Sequence, residues 1–398
     1  MIYFVHPRER RVLWLAYVIA ALVATYVCAI ARECNNFHIF RSAFVNLLQQ
    51  RDLYAAHPGQ HWDLFKYSPT FAFLFAPFAL APFALGLLAW NLLNVLLVFV
   101  AVARLLPVRE GTIALLLLYP GLAATLDGTQ SNGIVAALIV LGWLGFERRD
   151  PRAQMSAALA IAAGALVKVF PLAALSFAAV HNRRARFAIT FTAVFTALVA
   201  VPLLVTSPST LGAQYASWFA LEQVDALDRG ASVMRLLHRV VGYGGPNWPV
   251  QLAGTALLLA PLLRLACREG RSLRRDFLCS LLVYSVIFNH KAEQSSFIIA
   301  LVGIVVRYAA NVGRSARSWG WKTTATAATL LAMPPVFIGA VAPEWLGPYA
   351  DLPLLMAAAC ATLVWLSMQY ELLGVAAIAD TARRRLVTMR GAEVVTEE

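Results

Sequence analysis

Charge is scarce in this chain. Of 398 residues only 14% are Asp, Glu, Lys or Arg, while 60% are hydrophobic, and the mean hydropathy is +0.68. Soluble domains carry about 25% charged residues. A soluble core cannot hide this much apolar surface, so a bilayer must cover much of it. Acidic residues are scarcer than basic ones, 21 against 33, leaving a net charge of +12. In a soluble protein that excess would suggest nucleic acid. Beside apolar spans it fixes orientation instead, because Lys and Arg collect on the cytoplasmic side. No nucleic-acid partner is expected. The five cysteines, Cys28, Cys34, Cys267, Cys279 and Cys360, lack any C-x-x-C spacing and indicate neither a disulfide framework nor a zinc site. P-loop and Rossmann glycine patterns are also missing, so a nucleotide-sugar donor on the cytoplasmic face has no support. No repeat of fixed period and no low-complexity tract divides the chain.

What the chain does have is a succession of apolar runs. They predict an all-α polytopic membrane protein with a bundle of about 12 transmembrane helices. Spans are expected near 12–31, 86–104, 112–125, 133–147, 154–167, 170–181, 187–206, 250–266, 276–289, 295–311, 322–341 and 352–370. The whole of 1–398 reads as one integral membrane domain: first span 12–31, non-cytoplasmic loop 32–69, core 70–310, C-terminal spans 311–370 and cytoplasmic tail 371–398. Arg8, Arg10 and Arg11 precede a first run that lacks a small-residue cleavage site, so it is a retained span rather than a signal peptide. Segment 70–84 is broken by Pro77 and Pro82 and reads as interfacial or re-entrant.

Most basic residues fall at the end of the bundle that holds both termini, for example Arg148, Arg149 and Arg152, or Arg271, Arg274 and Arg275. That end is the cytoplasmic one. The polar interruptions all open to the other side. They are loop 32–69, Asp127-Gly-Thr-Gln130-Ser-Asn132, Lys168, loop 207–249 and Asn289-His290-Lys291-Ala-Glu293. Within the first loop, Phe37, Phe40, Ala43 or Phe44, and Leu47 or Leu48 recur at helical spacing, predicting a short helix lying at the membrane surface.

Several of these segments carry a family likeness. Arg51-Asp-Leu-Tyr54, Trp62-Asp63-Leu-Phe-Lys66-Tyr67-Ser-Pro69, Pro77, Pro82 and Trp90-Asn91 resemble the first loop and second span of glycosyltransferase family 87. Gln130-Ser-Asn132 is similar to the family's Gly-Gln-x-Asn, and Lys168-Val-Phe-Pro171 to its Lys-x-x-Pro. His290 stands where the family tends to place a histidine near a span end. The likeness covers roughly residues 10 to 310. It implies the GT-C architecture, and transfer of a sugar, mannose or another hexose, from a polyprenyl phosphate to a lipid or glycan acceptor on the non-cytoplasmic face. It implies inversion at the anomeric carbon and a bacterial inner-membrane location. The family's first-loop aspartate, its expected base, aligns with Asn36, or after a shift of a few residues with Glu33.

Such a reaction needs a group to take the acceptor's proton and cations or donors against the departing phosphate. Asp63 and Glu33 are the candidate bases; an asparagine such as Asn36 cannot accept the proton. An aspartate in a turn serves equally well as a cap. Lys168, His290, Lys291, Lys66 and Tyr67 are candidates for donor phosphate, and Asp127, Gln130, Asn132 and Glu293 for acceptor or sugar. Asp127 has a second reading as an ion-pair partner of Lys168. Trp218, Tyr215, Tyr243 and Trp248 with Arg229, Arg235 and Arg239 read as an interfacial belt. No cofactor is indicated, and a divalent cation has no support in the pattern. Two other readings stand beside the enzyme: a translocase of lipid-linked sugar, and a non-catalytic member in which Asn36 marks lost chemistry.

Overall fold

A computed structural model describes residues 7–31, 34–148, 150–180, 184–267, 270–311 and 352–374. Regular structure among the described residues is helical throughout: α1 Pro7–Ala31, α2 Asn35–Leu48, α3 Pro69–Leu74, α4 Ala76–Leu80, α5 Phe83–Leu105, α6 Val108–Asp127, α7 Asn132–Glu147, α8 Pro151–Val167, a 3₁₀ helix Phe170–Val180, α9 Arg184–Ala200, α10 Pro208–Asp225, α11 Val233–Val241, α12 Trp248–Leu259, α13 Pro261–Cys267, α14 Arg271–Ile287, α15 Phe297–Asn311 and α16 Leu352–Leu373. Every expected span is helical except 322–341, which lies outside the described residues, as do Glu33 and most of the tail. Among the described residues, six helices are long and apolar enough to cross a membrane by length and composition, and Asn132–Glu147 and Phe170–Ala179 are shorter apolar ones.

Local chemistry sets the helix starts. Ser68 accepts from Phe71 N at 3.2 Å, Asp150 from Ala153 N at 2.8 Å and Ser207 from Thr210 N at 3.1 Å, each followed by a proline at the first helical position. A side-chain oxygen there satisfies a free N–H, and proline gives up none that is needed. Segment 70–84 becomes two short helices, α3 and α4, with Pro77 in the first turn of α4 and Pro82 capping α5.

The first-loop helix is present as α2, with Phe37, Phe40, Ala43, Phe44 and Leu47 buried and Leu48 exposed. It packs edge-on against α3 and α5: the Phe40 ring lies 5.0 Å from Tyr67, 5.1 Å from Phe71 and 5.9 Å from Trp90. On α1, Leu13, Tyr17, Ala21, Ala24 and Cys28 face inward, and the Tyr17 hydroxyl donates to Leu115 O of α6 at 2.7 Å. Val12, Leu15, Ile19, Val23 and Ile30 are exposed on the opposite face, a surface suited to lipid. Helices α7 and α8 approach so closely that a Cβ on Gly145 would meet Ala153 O at 2.7 Å.

One finding corrects the reading of the cysteines. Cys28 and Cys34 form a disulfide, with Cα atoms 5.6 Å apart, joining the end of α1 to the start of α2. The spacing of six residues carries no motif, and only the chain reversal between these helices brings the thiols together.

The chain reversals separate two chemistries. At one end of the bundle lie the first loop, the 128–131 turn, Lys168, loop 226–232 and the 289–293 turn. At the other, Arg274 Nε meets Glu147 Oε1 at 2.7 Å and Arg307 Nη2 meets Glu371 Oε2 at 2.6 Å.

Candidate functional site

A cavity of about 540 Å³ opens at the first of these ends. Its polar wall comes from Asn36 of α2, Asp63, Lys66 and Tyr67 of the first loop, Gln130, Lys168, Glu222 and Asp225 of α10, and His290, Lys291 and Glu293. Its apolar wall comes from Val169, from Phe170, Leu172 and Ala173 of the 3₁₀ segment and from Phe288 just after α14, with Gln251 and Thr255 of α12 alongside. The sequence scatters these groups over more than two hundred and fifty positions, from 36 to 293; chain reversals at a single end of the bundle gather them.

Lys168 caps α8 in an extended conformation, and its N–H still bonds Gly164 O at 2.9 Å. Pro171 follows, so the helix cannot continue in register. The Lys168 ammonium donates to Asn132 Oδ1 at 2.8 Å, and Asn132 in turn donates to Ser295 Oγ at 3.0 Å. Lys168 Nζ also stands 5.9 Å from the centre of the Tyr67 ring. The Tyr67 hydroxyl lies 3.5 Å from both Gln130 Oε1 and Ser131 Oγ. Thus the Tyr-Ser-Pro turn, the Gln-x-Asn turn and the lysine form one connected group. Burial lowers the Lys168 pKa to about 8, against the opposing pull of Glu293 and Glu222.

The other cations of the cavity are already matched. Lys66 pairs with Asp63 at 3.2 Å. Lys291 pairs with Asp225 at 3.1 Å and Asp228 at 2.8 Å. Burial works against the Lys291 charge, but its bonds to Asp228 and Asp225 outweigh that and raise its pKa. Among the described residues, Lys168 is the cavity cation whose bonded partner is neutral. His290 is held by Gln251, whose amide lies 3.4 Å from Nδ1, and burial lowers its pKa. Loop 226–232 is pressed onto this turn: Ala231 N bonds Ala292 O at 2.7 Å, and Gly230 adopts φ +37° where a Cβ would meet Ala292 N and His290 O at 2.7 Å.

Of the residues singled out from sequence, Asn36, Asp63, Lys66, Tyr67, Gln130, Lys168, His290, Lys291 and Glu293 all line the cavity. Asn132 sits behind Lys168, fully buried, and orients it rather than lining the wall. Asp127 is exposed at the end of α6 and does not line the cavity; the amide of Asn132 takes the place beside Lys168 that an Asp127 carboxylate was expected to fill. Asn36 donates its amide to Gly128 O at 2.7 Å, a bond that an ionised carboxylate cannot make. Glu33 lies outside the described residues.

Sequence reasoning missed Glu222, Asp225, Gln251 and Tyr284, all on the cavity wall. A signal was present: Trp218, Glu222 and Asp225 fall at i, i+4 and i+7, one face of a helix. Trp218 belongs to the cavity, whereas Trp248 is 64% exposed, Tyr243 bonds Pro246 O at 2.9 Å and Arg229 bonds Gly245 O at 3.0 Å, away from the lysine. Among the described residues no three of His, Cys, Asp and Glu converge closely enough to hold a metal ion.

The model of glycosyltransferase family 87 matches residues 65–288, more than half of the chain. The match begins in the first loop just before Lys66 and ends at Phe288, so it includes Tyr67, Gln130, Lys168 and Glu222 and stops short of His290. No curated protein matches the chain.

Proposed function

The chain belongs to glycosyltransferase family 87 and is a membrane glycosyltransferase, and on that premise we propose that it moves a hexose from a polyprenyl phosphate to a hydroxyl of a lipid or glycan. The observation that carries this reading is the state of Lys168. It presents a positive charge, balanced by no bonded carboxylate, where the polar and apolar walls of one cavity meet. A polyprenyl-phosphate sugar has the same two-part chemistry. Its phosphate suits an ammonium, and its isoprenoid tail suits Phe170, Leu172, Ala173 and Phe288.

The mechanism follows from where charge develops. As the sugar leaves, negative charge grows on the bridging phosphate oxygen, and an oriented cation there favours the transition state over the ground state. Asn132 fixes the ammonium, and Tyr67 and Gln130 place donors beside it. A carboxylate of the same cavity takes the acceptor's proton. Attack from the face opposite the phosphate inverts the anomeric carbon. Within this reading the helices form a GT-C bundle in the bacterial inner membrane, with both termini cytoplasmic.

The outward orientation has two supports. Arginines gather at the end away from the cavity. The Cys28–Cys34 disulfide lies at the cavity end, where an oxidising compartment maintains such bonds. A second reading, a member that binds sugar lipid without transfer, draws on the Asn36 amide bond. One assay separates the two. Purified protein is given radiolabelled mannosyl- and glucosyl-polyprenyl phosphate with a membrane lipid extract. Label is expected in a new lipid or glycan product; tight donor binding with no product from either sugar would favour the second reading.

A further inference from the structure

The carboxylates of the cavity differ in what already holds them. Asp63 is tied to Lys66 at 3.2 Å and also accepts from Leu64 N at 2.7 Å. Asp225 is tied to Lys291 at 3.1 Å. Glu293 closes a capping box with Ser296. Glu222 makes no ion pair among the described residues, yet it lines the same cavity.

Its helix is well fixed. The Gln214 side chain accepts from Leu53 N at 3.0 Å and donates to Arg51 O at 2.7 Å, and the Tyr215 and Thr70 hydroxyls are 2.9 Å apart. These bonds anchor α10 to the first loop and to α3. One turn before Glu222, the Trp218 indole N–H faces the Glu222 carboxylate and favours its charged form. Burial and the neighbouring Asp225 charge hold the Glu222 carboxyl above the usual carboxylate range. A base with a raised pKa removes a hydroxyl proton more readily at neutral pH.

On the reading of this cavity as the transfer site, we propose that Glu222 is the general base, the role that the family resemblance assigns to a first-loop aspartate. The acceptor hydroxyl passes its proton to a Glu222 oxygen as its own oxygen bonds the anomeric carbon. The bond from that carbon to the phosphate oxygen breaks, and its electron pair leaves on the polyprenyl phosphate, facing Lys168. The products are the glycosylated acceptor and polyprenyl phosphate. The proton on Glu222 then returns to water through the open mouth of the cavity.

The test compares the full-length protein with Glu222→Gln and Glu222→Asp, using mannosyl- and glucosyl-polyprenyl phosphate as donors. Binding of sugar-free polyprenyl phosphate is measured in parallel. Loss of a general base slows a reaction about 10²- to 10⁴-fold. We expect a loss of that size in Glu222→Gln, a smaller one in Glu222→Asp, and polyprenyl phosphate affinity within about 3-fold of the parent in both. Retention of more than about a tenth of the parent rate in Glu222→Gln overturns the assignment. So does an equal loss in both variants accompanied by loss of polyprenyl phosphate binding, which marks a structural role. Failure of the unsubstituted protein to use either donor is a different result: it removes the transfer reading itself, and the base with it.

Discussion

An ammonium taken out of water loses its hydration before it gains a partner, and at Lys168 the bonded partner is a neutral amide. The consequence is a pKa near 8 rather than the 10.5 of a free lysine. The sign follows directly. The protonated form attracts phosphate and is present below this pKa, so donor capture fades as pH rises through about 8. A bound phosphate favours the charged form and shifts the loss upward in the complex. We therefore predict that kcat/KM falls above pH 8 while kcat holds to higher pH; a flat kcat/KM profile up to pH 10 contradicts the role. Lys168→Met should raise donor KM on the order of 10- to 100-fold, the size of one charge-assisted bond. In Lys66 and Lys291 the same residue type is neutralised by carboxylates. The sequence shows all three lysines alike, because pairing depends on partners far away in the chain.

At the scale of elements, the turn 289–293 is shaped by a loop that reaches it from residues 226–232. Gly230 makes this contact possible: its φ is +37°, and no Cβ stands between it and the backbone of His290 and Ala292. Gly230→Ala should force the two segments apart and displace Lys291 from Asp225 and Asp228. The expected cost is about 1–3 kcal/mol in thermal or denaturant unfolding, with a matching fall in kcat/KM. A variant with unchanged stability and rate would show that the contact is dispensable.

Other elements were legible to different degrees. The amphipathic spacing of Phe37, Phe40 and Leu47 announced α2, because one buried face leaves a periodic trace. The 3₁₀ geometry of Phe170–Val180 left no such trace, since apolar residues occupy all of its faces. The run 250–266 looked continuous but divides before Pro261, whose missing N–H and ring end α12.

For the molecule as a whole, the legible part was the segregation of polar groups and arginines to opposite ends. That pattern survives in the structure because each chain reversal alternates ends, whichever helices fully cross. The acid inventory was not legible. Glu222 and Asp225 share one face of α10 with Trp218, but that this face turns toward the cavity is set by tertiary bonds from Gln214 and Asn247, which the spacing alone does not show. The topology makes a separate prediction. With the native cysteines replaced, a cysteine at exposed Trp62 should react with an impermeant maleimide added outside the cell, and one at exposed Arg109 should not. Labelling of position 109 alone from outside would invert the orientation.

The central claim is that one outward-facing cavity holds the phosphate at Lys168 and the isoprenoid along Phe170, Leu172 and Ala173. Cryo-electron microscopy of the protein in lipid nanodiscs, saturated with polyprenyl phosphate, tests it most directly. We predict phosphate density within hydrogen-bonding distance of Lys168 Nζ, and a tail running along the 3₁₀ segment. Phosphate density at the arginine-rich end, with the cavity empty, would contradict it.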